Sequence, residues 1–114
     1  MSAIETDIDP ADLADWMGQD GELQVVDVRE PYEREAGHIA GTAHIPMVEL
    51  TARAGEIDRE RPVVFYCRVG ARSDMAAQAF RASGYRALSM SGGLVRWAQE
   101  DRPLSPEDGR VAEH

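Results

Sequence analysis

The chain has 114 residues, 43% of them hydrophobic and 29% charged, which suits one globular domain around one core and leaves no room for a second. Its formal charge of -9 sets 21 acidic residues against 12 basic ones, and every basic residue is arginine. Without a lysine amine, Schiff-base chemistry and lysine-dependent phosphate loops are excluded, and a negative overall field argues against nucleic acid as a partner. No apolar run approaches the roughly 20 residues that span a bilayer, and the first residues, Met-Ser-Ala-Ile-Glu-Thr-Asp, are acidic where an export signal is basic and then apolar. The expectation is a cytoplasmic protein with no membrane partner. Cys67 is the single cysteine, so it has no disulfide partner within the chain and forms no structural zinc site by itself.

In chain order, Asp9-Pro10-Ala11-Asp12 reads as an N-cap, a proline at the first helical position and an acid in the first turn. Leu13, Trp16 and Met17 then share a face, and Gly18 is expected to end the helix. Residues 24–28, Gln-Val-Val-Asp-Val, are too short an apolar run for a helix and read as a buried strand. From Arg29 to Gly41 the chain is polar and punctuated by Pro31 and Gly37, a loop with a short helix; residues 43–45 form a brief strand closed by Pro46. A weak helical stretch is expected over 47–53. After Pro62, Val63-Val64-Phe65-Tyr66 is the most strand-like run, and Cys67 follows it directly. Residues 73–82 are strong helix formers with Met75, Ala76, Ala79 and Phe80 on one face, stopped at Gly84. A strand over 86–90 and a helix over 94–100, entered through Gly92-Gly93, complete a domain of residues 1–104. Residues 105–114 lack apolar periodicity and read as a mobile tail.

Strands alternating with helices imply an α/β fold, a mostly parallel sheet covered on both faces. Ligands of such folds bind at the carboxyl ends of the strands, where Cys67 stands. The segment Cys67-Arg68-Val69-Gly70-Ala71-Arg72-Ser73 places a thiol, a permissive glycine and two cations in a turn that opens into a helix. None of residues 68 to 73 is proline, so their amides are all available to a sulfur or a bound anion. The helix N-terminus adds about half a positive charge, and a cation about 4 Å away at an effective dielectric near 20 contributes about 4 kcal/mol. All of these act to favour an anionic sulfur without a histidine base. A buried packing role, the common fate of a lone cysteine, explains none of the flanking residues.

The sequence resembles the rhodanese-like sulfurtransferases from about residue 3 to residue 104. The likeness rests on residues 26–33 with Gly37-His38-Ile39, Gly41 and Ile45-Pro46, on the loop 66–73, and on Gly92-Gly93-Leu94-Val95-Arg96-Trp97. It implies a three-layer α/β/α fold with five mostly parallel strands, and a cysteine that carries sulfur as a persulfide. In the implied cycle the Cys67 thiolate takes sulfur from thiosulfate or a similar small anionic donor and yields it to a thiophilic acceptor such as cyanide or a thiol, or to a protein sulfur acceptor. Arg68 and Arg72 would hold the donor, and the amides of Val69, Gly70, Ala71 and Ser73 would stabilise the persulfide. No cofactor and no metal are implied. Asp27 and Arg29 are expected to support the loop as a charge pair. The family pattern is broken at Arg34, where an aromatic or apolar residue is usual, and at Thr42, Ala43 and His44.

Two other readings share these residues. Related phosphatases and arsenate reductases use a cysteine loop, but with one residue more between cysteine and arginine than the four here and a histidine where Tyr66 stands. A shorter loop favours a single sulfur atom over a phosphoryl group. A non-catalytic binding module would have no need of Cys67, Arg68 and Arg72 together. His38 and His44 read as loop-stabilising or surface residues, and Trp16 and Trp97 as core.

Overall fold

Among the described residues, five short strands supply the framework: β1 (Asp7–Ile8), β2 (Gln24–Asp27), β3 (Ala43–His44), β4 (Val63–Tyr66) and β5 (Ala87–Met90). They form one sheet in the order β1-β5-β4-β2-β3, parallel at every pairing. The structure is a computed structural model that describes residues 6–114; residues 1–5, the start of the stretch read against an export signal, lie outside the described residues. Helices α2 (Pro31–Ala36) and α3 (Ala71–Ala82) make the crossovers that the parallel neighbours β2–β3 and β4–β5 require, α1 (Pro10–Gln19) leads from β1 to β2, and α4 (Gly93–Gln99) follows the last strand. No helix among the described residues is long and apolar enough to cross a membrane.

The two-residue alternation of the central strand divides the core. Val63, Phe65 and Cys67 face one side and pack with Ala76, Ala77 and Phe80 of α3, while Val64 and Tyr66 face the other and pack with Leu13 of α1 and Leu94 and Trp97 of α4. The result is the expected three-layer α/β/α arrangement. From β4 the chain crosses through α3 to β5 on one side, and from β2 through α2 to β3 on the other. The strand order thus reverses between β2 and β4, and their carboxyl ends open a crevice at that point.

Several local expectations are corrected. Gly18 lies within α1, which continues to Gln19 because the Asp20 carboxylate accepts from the Trp16 indole (3.0 Å) and the Glu22 amide (2.8 Å) and turns the chain there. The helix expected over 47–53 is replaced by two 3-10 turns, Met47–Glu49 and Ala54–Glu56, joined by Arg53, which pairs with both Glu49 and Glu56. Strand β1 was not anticipated: Asp7 and Ile8 carry no periodicity, and it is pairing with Ser89 and Met90 that makes them a strand. Helix α3 begins at Ala71, and its buried face is Ser73, Ala76, Ala77 and Phe80, an i, i+3, i+4, i+7 stripe, whereas Met75 and Ala79 face solvent. The stripe is shifted from the expected one because Ser73, a polar residue, and Ala77 take the buried positions in place of Met75 and Ala79. Residues 105–114 carry no helix or strand of their own.

Candidate functional site

The apolar run of β4 ends at Tyr66, and the backbone turns sharply to start α3 at Ala71. Gly70 makes that turn possible, since it caps the helix at φ 112°, a conformation other residues resist. A glycine cap has no side-chain oxygen to satisfy the first helical amides, the role serine, threonine or aspartate usually plays. Here the sulfur of Cys67 plays it: Sγ accepts from the Gly70 amide at 3.1 Å and the Ser73 amide at 3.5 Å. Of the amides between residues 68 and 73, these two reach the sulfur. The Ser73 hydroxyl lies 3.5 Å from Sγ, 3.1 Å from the Gly70 carbonyl and 2.7 Å from the Ser89 hydroxyl on β5. Both serines are fully buried.

The same cysteine also starts α4. Its carbonyl accepts from the Leu94 amide (2.8 Å), and the Arg68 carbonyl from the Val95 amide (3.0 Å), so the loop backbone satisfies the first turn of that helix. Approach is so close that a Cβ on Gly93 would stand 2.6 Å from the Val69 nitrogen. Two helix N-termini therefore meet on one cysteine, through its side chain and through its carbonyl, and both direct positive potential at the loop.

Each site residue expected from the sequence can now be placed. Cys67, Arg68, Val69, Ala71 and Arg72 line one open cleft, together with His114. Gly70 and Ser73 are buried and bond to the sulfur rather than lining that cleft. Cys67 itself has no exposed surface, and Val69 is half exposed at the rim. The Nε of Arg68 is buried and has no partner among the described residues. Arg72 departs from the expected arrangement: its two terminal nitrogens bond to the Glu33 carboxylate at 2.8 and 3.0 Å, so the guanidinium does not stand free in the cleft. That bond to Glu33 holds the Arg72 guanidinium above its ordinary range; burial opposes it, and the charges of Glu33, Cys67 and Asp27 add to it. Burial pushes the Glu33 carboxyl up, but the bonds from Arg72 and the Glu30 amide, with the Arg72 charge, outweigh it and leave it below its usual value.

Asp27 and Arg29 form a fully buried pair at the end of β2, with Nε to Oδ1 and Nη2 to Oδ2 both at 2.8 Å. Arg29 also donates to the Gly37 carbonyl at 2.7 Å. Burial disfavours the Arg29 charge, and the bonds and charge of Asp27 reverse that and raise it. Arg34, the departure from the family pattern, donates to the carbonyls of Thr42 (2.6 Å) and Ala43 (3.3 Å) and to the Thr42 hydroxyl (3.0 Å). The unusual residues at 34, 42 and 43 thus bind one another. The Thr42 hydroxyl lies 2.9 Å from Tyr66 Oη, which accepts from the Ile39 amide at 3.1 Å. Burial and the Asp27 charge push the Tyr66 phenol up to about 12, so it stays protonated. His44 Nε2 lies 2.8 Å from the Arg29 carbonyl and His38 Nδ1 3.1 Å from the Arg34 carbonyl, each donating to main chain. Among the described residues no three His, Cys, Asp or Glu side chains gather as a metal site would require. Trp97 is buried and Trp16 packs against the same cluster.

Glu33, Ser89 and His114 are site neighbours that sequence reasoning did not single out. Glu33 sits three residues after Glu30 in a capping box whose Glu30 amide donates to it at 2.9 Å, a readable local signal, but its second partner is 39 positions away. Nothing local marks Ser89 or His114.

Comparisons with known proteins agree with this geometry. The chain is 35% identical over 104 residues to a protein of Allochromatium vinosum named sulfurtransferase, covering 90% of this chain and 97% of that one. It is 34% identical over 99 residues to the probable adenylyltransferase/sulfurtransferase MoeZ of Mycobacterium tuberculosis, covering 84% of this chain but a 25% share of that larger protein. Among solved structures, a rhodanese-related protein from Thermoplasma volcanium superposes with a TM-score of 0.80 at 30% identity, covering 87% of this chain and 96% of its own. With residues 9–100 matching the family pattern described as Rhodanese-like domain, the chain belongs to the rhodanese-like family.

Proposed function

We propose that the chain is a sulfurtransferase that carries sulfane sulfur on Cys67. The observation that carries this reading is the placement of Sγ: it accepts two backbone amides at the head of α3 while lying at the base of an open cleft. A side chain in ordinary packing would not be the acceptor for a helix cap. The same amides favour a thiolate before transfer and a persulfide anion after it.

In the first half-reaction the thiolate attacks the outer sulfur of thiosulfate. A new S–S bond forms at Cys67, the S–S bond within thiosulfate breaks, and its electron pair leaves with sulfite. In the second, a nucleophile such as cyanide or a thiolate attacks the outer sulfur, the Cys67 S–S bond breaks, and the electron pair returns to the cysteine. Arg68, whose Nε has no partner among the described residues, suits a sulfonate oxygen. Arg72 acts differently from the simplest expectation: bound to Glu33, it ties α3 to α2 and fixes the loop, with part of its side chain still facing the cleft. This engagement also weighs against phosphatase chemistry, which needs its loop guanidinium aimed at the transferred oxyanion. Protein-borne sulfur is a further acceptor class, supported by relatives named as a putative sulfur carrier protein and as MoeZ.

The test is thiosulfate-dependent thiocyanate formation. The wild-type chain should turn over, Cys67→Ser should show none, and neither should hydrolyse a phenyl phosphate. Thiocyanate at equal rates in both would remove the cysteine from the reaction.

A further inference from the structure

The site as described is short of one anion-binding group. A dianionic donor is best held by at least two donors from the protein, yet Arg72 has both terminal nitrogens on Glu33, which leaves Arg68 as the uncommitted cation of the loop. The remaining polar side chain lining the cleft comes from outside the loop: His114.

His114 reaches this place because the segment before it is laid along α2. Ser105 exchanges two backbone bonds with His38, at 2.7 and 2.9 Å, as an antiparallel bridge. The Arg110 amide donates to the Ala36 carbonyl at 2.8 Å, and a Cβ on Gly109 would stand 2.8 Å from the Pro106 carbonyl and 3.1 Å from Gly37 Cα. Ala112 is 5% exposed, and the Tyr32 hydroxyl donates to the Glu113 carbonyl at 3.2 Å. His114 and Arg72 line the same cleft, which sets His114 on the side of the Arg72–Glu33 pair.

We propose that residues 105–114 form a strap that completes the site, and that His114 is a donor-binding residue whose imidazole takes one oxygen of an anionic sulfur donor, with Arg68 taking another. The proposal rests on the sulfur-transfer reading above and adds a residue to it. An imidazole N–H donates in either protonation state, so the contact does not depend on a charged histidine.

The test follows single-turnover loading of Cys67 by mass spectrometry across a range of thiosulfate concentrations. His114→Ala should raise the concentration for half-maximal loading roughly fivefold, the worth of about one hydrogen bond, and leave the limiting rate within about twofold. His114→Arg should restore it. Gly109→Ala, which keeps the histidine but crowds the strap, should reproduce the effect of His114→Ala. An unchanged concentration dependence in His114→Ala, with wild type loading normally, overturns the proposal alone. A wild-type chain that gains no sulfur overturns both the proposal and the reading beneath it.

Discussion

Glu33 shows how one side chain can set the geometry of a site it does not enter. It is fully buried, receives the amide of Glu30, the N-cap of its own helix, and holds Arg72 at the head of α3. Removing it strands a guanidinium whose side chain is 20% exposed, so the cost should fall below that of a fully buried broken pair; Glu33→Ala should destabilise by about 1–3 kcal/mol in a urea titration. The pH dependence has a definite sign. Because the folded state lowers the Glu33 value, its stabilising contribution is complete above the usual carboxylate range near 4.5 and is lost as pH falls through the lower folded value. Stability of wild type minus Glu33→Gln should therefore be constant near neutrality and shrink on acidification through that window. A difference that stays constant into acid would mean that the pair contributes nothing through its charge.

At the scale of elements, the loop is a junction of two helices that share one cysteine. α3 has a glycine cap and uses Sγ in place of a side-chain oxygen, and α4 uses the carbonyls of Cys67 and Arg68. Cys67→Ala should consequently cost stability as well as activity, by about 1 kcal/mol as for a lost N-cap, while Cys67→Ser, which keeps an acceptor, should cost less. Equal melting temperatures for wild type and Cys67→Ala would show that the sulfur caps nothing. Gly93→Ala is expected to be harsher, since its Cβ would displace the loop backbone at Val69. Much of this junction is legible in the sequence: the apolar run, the cysteine, Gly70 and the Gly92-Gly93 pair are contiguous and each has a local physical reason. The phase of α3 is not, because Ser73 is polar by composition and buried only through its bonds to Gly70 and Ser89.

At the scale of the molecule, the reversal of strand order between β2 and β4 collects residues from distant parts of the chain. The Asp27–Arg29 pair closes the end of β2, the loop closes the end of β4, and α2 bridges them through Glu33. Alternating strands and helices announce this architecture, and Asp27 and Arg29, two residues apart at the end of β2, mark a charge pair whose complete burial only the fold supplies. What the sequence conceals is pairing over long separation: β1 becomes a strand through β5, Arg72 finds Glu33, and the polar segment 105–114, without periodicity of its own, gains its contacts from α2 and from His38. Such contacts depend on the completed fold and leave no local periodic trace.

The central claim, that Cys67 is the atom on which sulfur travels, is tested most directly by intact-mass spectrometry of the purified chain after exposure to thiosulfate. One added sulfur is expected on wild type, removed by cyanide or dithiothreitol and never acquired by Cys67→Ser. No added mass on wild type, or the same addition on Cys67→Ser, would contradict it.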